Sequence, residues 1–227
     1  HGWDFGTAWA DAGIICPWTI WQVYGDTRVI ERCWEPMTRF MQWRKKTSVD
    51  DLGVTHGNPW GDWLAQGAKT PIDYIDTVYF ALTARMMAEM AEATGRESEA
   101  SAYREQFRRT KAAFVAKYLN EDGSVSVETQ TAYALALFAD LVPDQMRRAT
   151  GEQLAARIAA NGNRMSTGFL GTRPLLPVLS SVDQHDLAVF LLQSHEFPSW
   201  GYEIDQGATS IWERWDSYTK EDGFGRH

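Results

Sequence analysis

Apolar residues along this chain recur every three or four positions, the repeat of a helix with one buried face, while strand-like alternation is nearly absent. The clearest run opens at Pro71, whose missing N–H costs nothing in a first helical turn. It continues through Tyr79, Leu82, Met86 and Met90 to a stop at Gly95. Tyr103, Phe107, Phe114 and Tyr118 mark the apolar face of the helix that follows. Upstream, the pattern predicts a helix over 12–24, with Pro17 tolerable only near its first turns. Thr27 can cap the next, through Val29, Cys33, Met37 and Phe40. Downstream, helices are predicted over 131–141, 144–161, 173–182 and 183–194, with Asp183 and Asp186 spaced as a capping pair for the last. Residues 48–70 read as a Gly-, Asn- and Pro-containing loop. From Pro198 the chain turns loop-like and aromatic, and 209–212 is the best candidate for a short strand.

Helices joined by such unequal connections suit antiparallel hairpins arranged in a ring, whose long loops gather at one end and shape a pocket. No fixed-period repeat of the solenoid sort is present, and no linker marks a boundary, so one domain is expected. Its 227 residues suffice for a sizeable core. No apolar run approaches the roughly 20 residues that span a bilayer. The opening His1-Gly-Trp-Asp4 has neither the basic nor the apolar region of a secretory signal. A net charge of −8 argues against nucleic-acid and anionic-membrane partners, which reward clustered Lys and Arg. Cys16 and Cys33 are too few for a disulfide framework and are expected to be small buried thiols. The compartment stays open, with the cytoplasm slightly favoured over a periplasmic or secreted location.

The 11 tryptophans change the picture. Trp18, Trp21, Trp34 and Trp43 fall in helix-like stretches, where core packing is the default. Trp60, Trp63, Trp200, Trp212 and Trp215 fall in loops, poor places to bury indole unless the loop lines something. Pyranose C–H faces stack on aromatic rings, so a sugar site is the first suggestion. Three clusters could serve it. Asn58-Pro-Trp60-Gly-Asp62-Trp63 sets a carboxylate and an amide between indoles, to bind sugar hydroxyls or, alternatively, to cap the chain's own backbone through Asp62. Residues 199–216 concentrate Trp200, Glu203, Asp205, Trp212, Glu213, Arg214, Trp215 and Asp216. Glycosidases need two carboxyls across the scissile bond, one of them ionised, and Glu213 is the candidate for that one unless it merely pairs with Arg214. Thr7-Ala-Trp9-Ala-Asp11 offers another carboxylate, Asp11, either a pocket acid or a residue favoured by a helix start. His56, His185 and His195 share no ligand spacing with nearby acids, so neither a metal nor an organic cofactor is expected. The segment 166–172 carries no phosphate-loop motif and reads as a pocket rim.

These residues resemble the bacterial α-L-rhamnosidases of glycoside hydrolase family 78. The matching stretches are Ala8-Trp-Ala-Asp-Ala-Gly-Ile-Ile-Cys-Pro-Trp18 with Tyr24-Gly-Asp26, then Trp60-Gly-Asp-Trp-Leu64 and Gln130-Thr-Ala-Tyr-Ala-Leu135. Thr167-Gly-Phe-Leu-Gly171 and Pro198-Ser-Trp-Gly-Tyr202, leading into Gly207-Ala-Thr-Ser-Ile-Trp-Glu-Arg-Trp-Asp216, complete the set in family order. The resemblance implies an all-α (α/α)6 toroid that removes terminal α-L-rhamnose with inversion. It makes Glu213 the general base and has Asp11, Trp60, Asp62 and Trp212 hold the sugar; Trp9, Asn58 and Trp200 complete the candidate contacts. The family's general acid lies in a stretch resembling Asp-Cys-Pro-Gln-Arg-Glu-Arg-x-Gly-Trp, which this sequence lacks, as it lacks the histidine and closing helix expected after Trp215. The expectation is therefore a partial catalytic domain over 1–227, an incomplete toroid that is inactive alone and self-associates through uncovered helix faces. Rival readings are another glycosidase or polysaccharide lyase on the same toroid, and a non-catalytic helical carbohydrate-binding or scaffold fragment.

Overall fold

The structure is a computed structural model that describes residues 6–54 and 60–225. Among them nine helices and one two-stranded hairpin form, distributed over two compact units. None of these helices is long and apolar enough to cross a membrane.

The first unit comprises His1–Gly61, Pro71–Leu119 and Ala139–Val142. It holds α1 (Ala12–Tyr24), α2 (Arg28–Thr47), α3 (Ile72–Ala93) and α4 (Glu97–Tyr118). Gly25, at φ +68° with its N–H on the Trp21 carbonyl, turns α1 into α2. Gly95, at φ +71°, does the same between α3 and α4. α3 is the centre of this unit: 16 of its 22 residues are buried, so its apolar surface runs around the whole helix rather than along one stripe. Tyr74 of α3 meets Phe114 and Tyr118 of α4 edge-on, at ring centroid distances of 5.4 and 4.9 Å. Pro17 lies in the second turn of α1 and is buried there.

Two expectations about α1 and α2 need correction. Cys33 is only half-buried, and Cys16 is exposed because α1 turns apolar side chains outward, Ile20, Val23 and Tyr24 among them. The helical tryptophans are not simple core either. Trp18 donates its indole N–H to Glu89 (2.7 Å) and Trp34 to Glu99 (3.0 Å), each half-buried, and Trp43 is exposed.

The 48–54 segment reaches the backbone of α3. A Cβ at Gly53 would lie 2.6 Å from the Asp76 carbonyl and 2.7 Å from the Thr77 nitrogen. Gly53→Ala is therefore expected to destabilise this unit by about 1–3 kcal/mol, the cost of forcing packed elements apart. Thermal denaturation should show a lowered melting temperature; an unchanged one would mean the segment yields freely.

The second unit comprises Asp62–Thr70, Asn120–Phe138 and Pro143–His227. It holds α5 (Gln130–Phe138), α6 (Asp144–Ala160), α7 (Phe169–Ser181), α8 (His185–Gln193) and α9 (Trp200–Asp205), with β1 (Tyr218–Thr219) antiparallel to β2 (Gly223–Phe224). α5 is the core, with eight of its nine residues buried, and α6 and α7 pack on it. α7 begins at Phe169, earlier than the pattern predicts, and α8 begins at His185 without a side-chain cap, Asp183 standing before it at φ +61°. The expected strand over 209–212 is irregular backbone; the strands lie further on. Where the composition predicts loop, α9 forms instead, and Ser199 caps it by accepting the Tyr202 N–H at 3.0 Å.

Candidate active site

A carboxylate holds together the framework of the site. Asp62 accepts hydrogen bonds from the backbone N–H groups of Leu170 (2.8 Å) and Gly171 (3.1 Å) on one oxygen. Its other oxygen accepts from Gly168 N–H (2.8 Å) and the Thr131 hydroxyl (2.5 Å). These N–H groups lie at the start of α7, which has no preceding turn to satisfy them and whose dipole favours an anion. Two backbone bonds run alongside, Phe169 N–H to Trp63 C=O and Gln66 N–H to Ser166 C=O. The approach is so close that a Cβ at Gly168 would sit 2.2 Å from the Trp63 oxygen. Gln130 of α5 completes the tie, donating to the Arg164 carbonyl and accepting from Ser166 N–H, both at 2.9 Å.

Against this rim lies the 199–217 segment. Trp215 is buried, with its indole N–H on the Thr167 carbonyl (3.3 Å) and its ring edge-on to Trp200 at 5.4 Å. Trp200, Trp212 and Trp215, with Phe169, wall a cavity of about 380 Å³ that also takes in Arg173, Glu203 and Glu213. Glu213 is exposed to that space and has no hydrogen bond or ion pair with any described residue. Arg214 turns instead to Asp216, bidentate at 2.9 and 3.0 Å, and holds the Asp216 carboxyl below its usual range. Glu203 is 3% exposed, accepts the Trp212 N–H at 3.3 Å and is pushed above the usual carboxylate range by desolvation. One acid is therefore wet and unpaired, the other enclosed.

The structure thus gathers Trp200, Trp212 and Glu213 into one cavity and turns Asp62 onto the chain's own donors. Trp9, Asp11 and Trp60 belong to the first unit. Trp60 is 43% exposed and Trp9 half-buried. Asp11 is fully buried, accepting Ala8 N–H at 2.7 Å and facing Arg44 at 3.4 Å; Arg44 also pairs with Asp76 at 2.9 Å. The environment of Asp11 is a closed ionic cluster, in which its Oδ1 has no partner among the described residues. Asn58 and His56 lie outside the described residues. The sequence did not single out Glu203, Phe169 or Arg173 as site residues; only the aromatic and acidic density of 199–216 and the rim-like 166–172 pointed near them. Among the described residues, no group of three or more His, Cys, Asp or Glu is placed to hold a metal ion.

The family model of the bacterial alpha-L-rhamnosidase 6 hairpin glycosidase domain matches residues 1–225. The chain belongs to this family. It is 43% identical over 216 residues to the alpha-L-rhamnosidase of Streptomyces avermitilis, covering 95% of this chain and 21% of that protein. With the alpha-L-rhamnosidase of Formosa agariphila it shares 34% identity over 233 residues, covering 99% of this chain and 25% of the relative. Among solved structures, the Streptomyces avermitilis alpha-L-rhamnosidase complexed with L-rhamnose superposes with a TM-score of 0.89 at 42% identity, over 95% of this chain and 20% of that one. The native enzyme of Aspergillus terreus gives 0.87 at 27% identity, over 96% and 26%. The all-α hairpin class is therefore that of the rhamnosidase domains. The chain spans about a fifth to a quarter of the length of the relatives it matches.

Proposed function

We propose that this chain forms part of a catalytic domain that hydrolyses terminal α-L-rhamnosides with inversion at the anomeric carbon, and that Glu213 is the general base. In this reading Glu213 takes a proton from a water molecule, whose oxygen attacks the anomeric carbon. The bond to the aglycone oxygen breaks, and that oxygen takes a proton from a second carboxylic acid. Inversion needs the two carboxyls about 6.5–9.5 Å apart, leaving room for the water. Indoles of Trp200 and Trp212 offer apolar faces to the sugar. Trp60 and Asn58 remain proposed contacts. Asp62 and Asp11, engaged with internal donors, are proposed to act by holding the segments that carry other contacts. The exposed apolar side chains of α1 and α8, such as Val23, Tyr24, Phe190 and Leu192, are proposed to drive self-association of the chain taken by itself.

The observation that carries the reading is an unpaired carboxylate opening on a cavity walled by three indoles. The reaction's stereochemistry tests it. Proton NMR of the first product released by the full-length enzyme from an aryl α-L-rhamnoside should show β-L-rhamnose before mutarotation. Initial α-L-rhamnose would reject a single displacement, and with it the role of Glu213 as a base.

A further inference from the structure

The geometry points to Glu203 as a positioning residue for Glu213, its buried carboxyl holding the backbone amide of Trp212 and so the peptide that carries the reacting acid. The inference rests on the reading of Glu213 as the base. Glu203 comes from α9, whose own placement is tightly set. Ser199 caps it, and Gly201 leaves no room for a side chain against the Ser194 carbonyl, 2.3 Å from where a Cβ would lie. From this fixed helix Glu203 reaches forward with both its backbone and its side chain. The Glu203 carbonyl accepts the Ala208 N–H at 3.0 Å, and the Glu203 carboxyl accepts the Trp212 N–H at 3.3 Å.

The span they bracket, 208–212, has no regular structure of its own, and Ile211 within it is 80% exposed. Among the described residues, no other acceptor meets the Trp212 N–H, one residue before Glu213. The next restraint along the chain lies beyond it, where Arg214 N–H meets the Ser217 hydroxyl at 3.3 Å and Trp215 is packed. Glu213 thus stands between two anchors, and Glu203 is the upstream one. A displacement of about 1 Å in such a group costs on the order of 10²-fold in rate.

Enclosure also pushes the Glu203 carboxyl above the usual carboxylate range. The other titratable groups near α9 are Glu213 and Arg173 in the cavity wall and the Arg214–Asp216 pair. To these is added the His195–Asp205 pair, which closes at 2.8 Å.

The test is kinetic, on the full-length enzyme with an aryl α-L-rhamnoside. Glu203→Leu, which fills the space but removes the acceptor, should lower kcat about 10–100-fold with KM within about 3-fold. Glu203→Gln, which keeps an acceptor oxygen in the same place, should restore kcat to within about 3-fold. Should the leucine variant not fold, Glu203→Asp draws the carboxyl back by one methylene and carries the same expected loss. Full kcat in the leucine or aspartate variant overturns the inference. So does a glutamine variant as slow as the leucine one at an unchanged melting temperature, because a carboxyl would then be needed for more than its acceptor. A Glu213→Gln enzyme that turns over normally removes the parent reading; an inactive one beside a fully active Glu203→Leu removes this inference alone.

Discussion

Replacing Glu213 with glutamine in the full-length enzyme should lower kcat on an aryl α-L-rhamnoside by about 10²–10⁴-fold, the contribution of a positioned general base. Affinity for L-rhamnose should stay within about 3-fold. The substitution conserves shape and removes the ability to take a proton. It breaks no hydrogen bond among the described residues, since Arg214 forms its bidentate pair with Asp216. Folding should therefore be untouched, and calorimetry with L-rhamnose beside steady-state kinetics separates the two quantities. Nearly normal release of the aryl group would take Glu213 out of the mechanism. Equal losses of binding and turnover would make it a sugar ligand instead.

The largest loss of stability is expected at Asp62. Asp62→Ala strips the acceptor from three backbone N–H groups and one hydroxyl at a single stroke. An unmet buried donor costs about 1–3 kcal/mol, though water would recover part of this at a half-buried site, so a net loss of about 3–5 kcal/mol is expected. Asp62→Asn should be nearly as harmful, because its amide turns N–H groups toward N–H groups. Thermal melts and limited proteolysis around 62–70 and 164–172 check both variants. If either melts like the wild type but no longer binds L-rhamnose, Asp62 contacts the sugar and its internal bonds are incidental.

Much of the first unit was legible in the sequence because its signals are local. Pro71 and Gly95 bracket α3, and the spacing of Tyr79, Leu82, Met86 and Met90 belongs to the helix they enclose. What periodicity could not show is that α3 is buried on every side, since a strong apolar face reads alike whether the opposite face meets water or protein. The second unit was less legible because its signals are distant. α7 starts at Phe169 because Asp62, more than a hundred residues earlier, satisfies its first N–H groups; the local pattern only suggested a start at Arg173. The 209–212 segment has strand-forming residues but, among the described residues, no strand to pair with, and the Trp212 N–H goes instead to the side chain of Glu203 on α9.

The site was legible in composition rather than in geometry. Loop-borne indoles announced a cavity, and Trp200, Trp212 and Glu213 do share one. Asp62 and Asp11 carried the same polar-aromatic signature, yet each has its carboxylate turned to internal donors. Motif residues of this kind report that a carboxylate is needed without saying whether sugar or backbone needs it. Glu203 had no signal beyond its neighbourhood, because its role depends on a bond spanning nine residues of irregular chain.

The bonds from Asp62 to Gly168, Leu170 and Gly171 span 106 to 109 positions. A nascent chain leaving the ribosome at about 5–20 residues per second would carry Asp62 for roughly 5–20 seconds before its partners were made. During that interval its tryptophan-flanked loop has nothing to close against. Conditions that slow translation, or that crowd the cell with aggregation-prone intermediates, should therefore reduce the yield of soluble enzyme before they touch the activity of molecules that have folded.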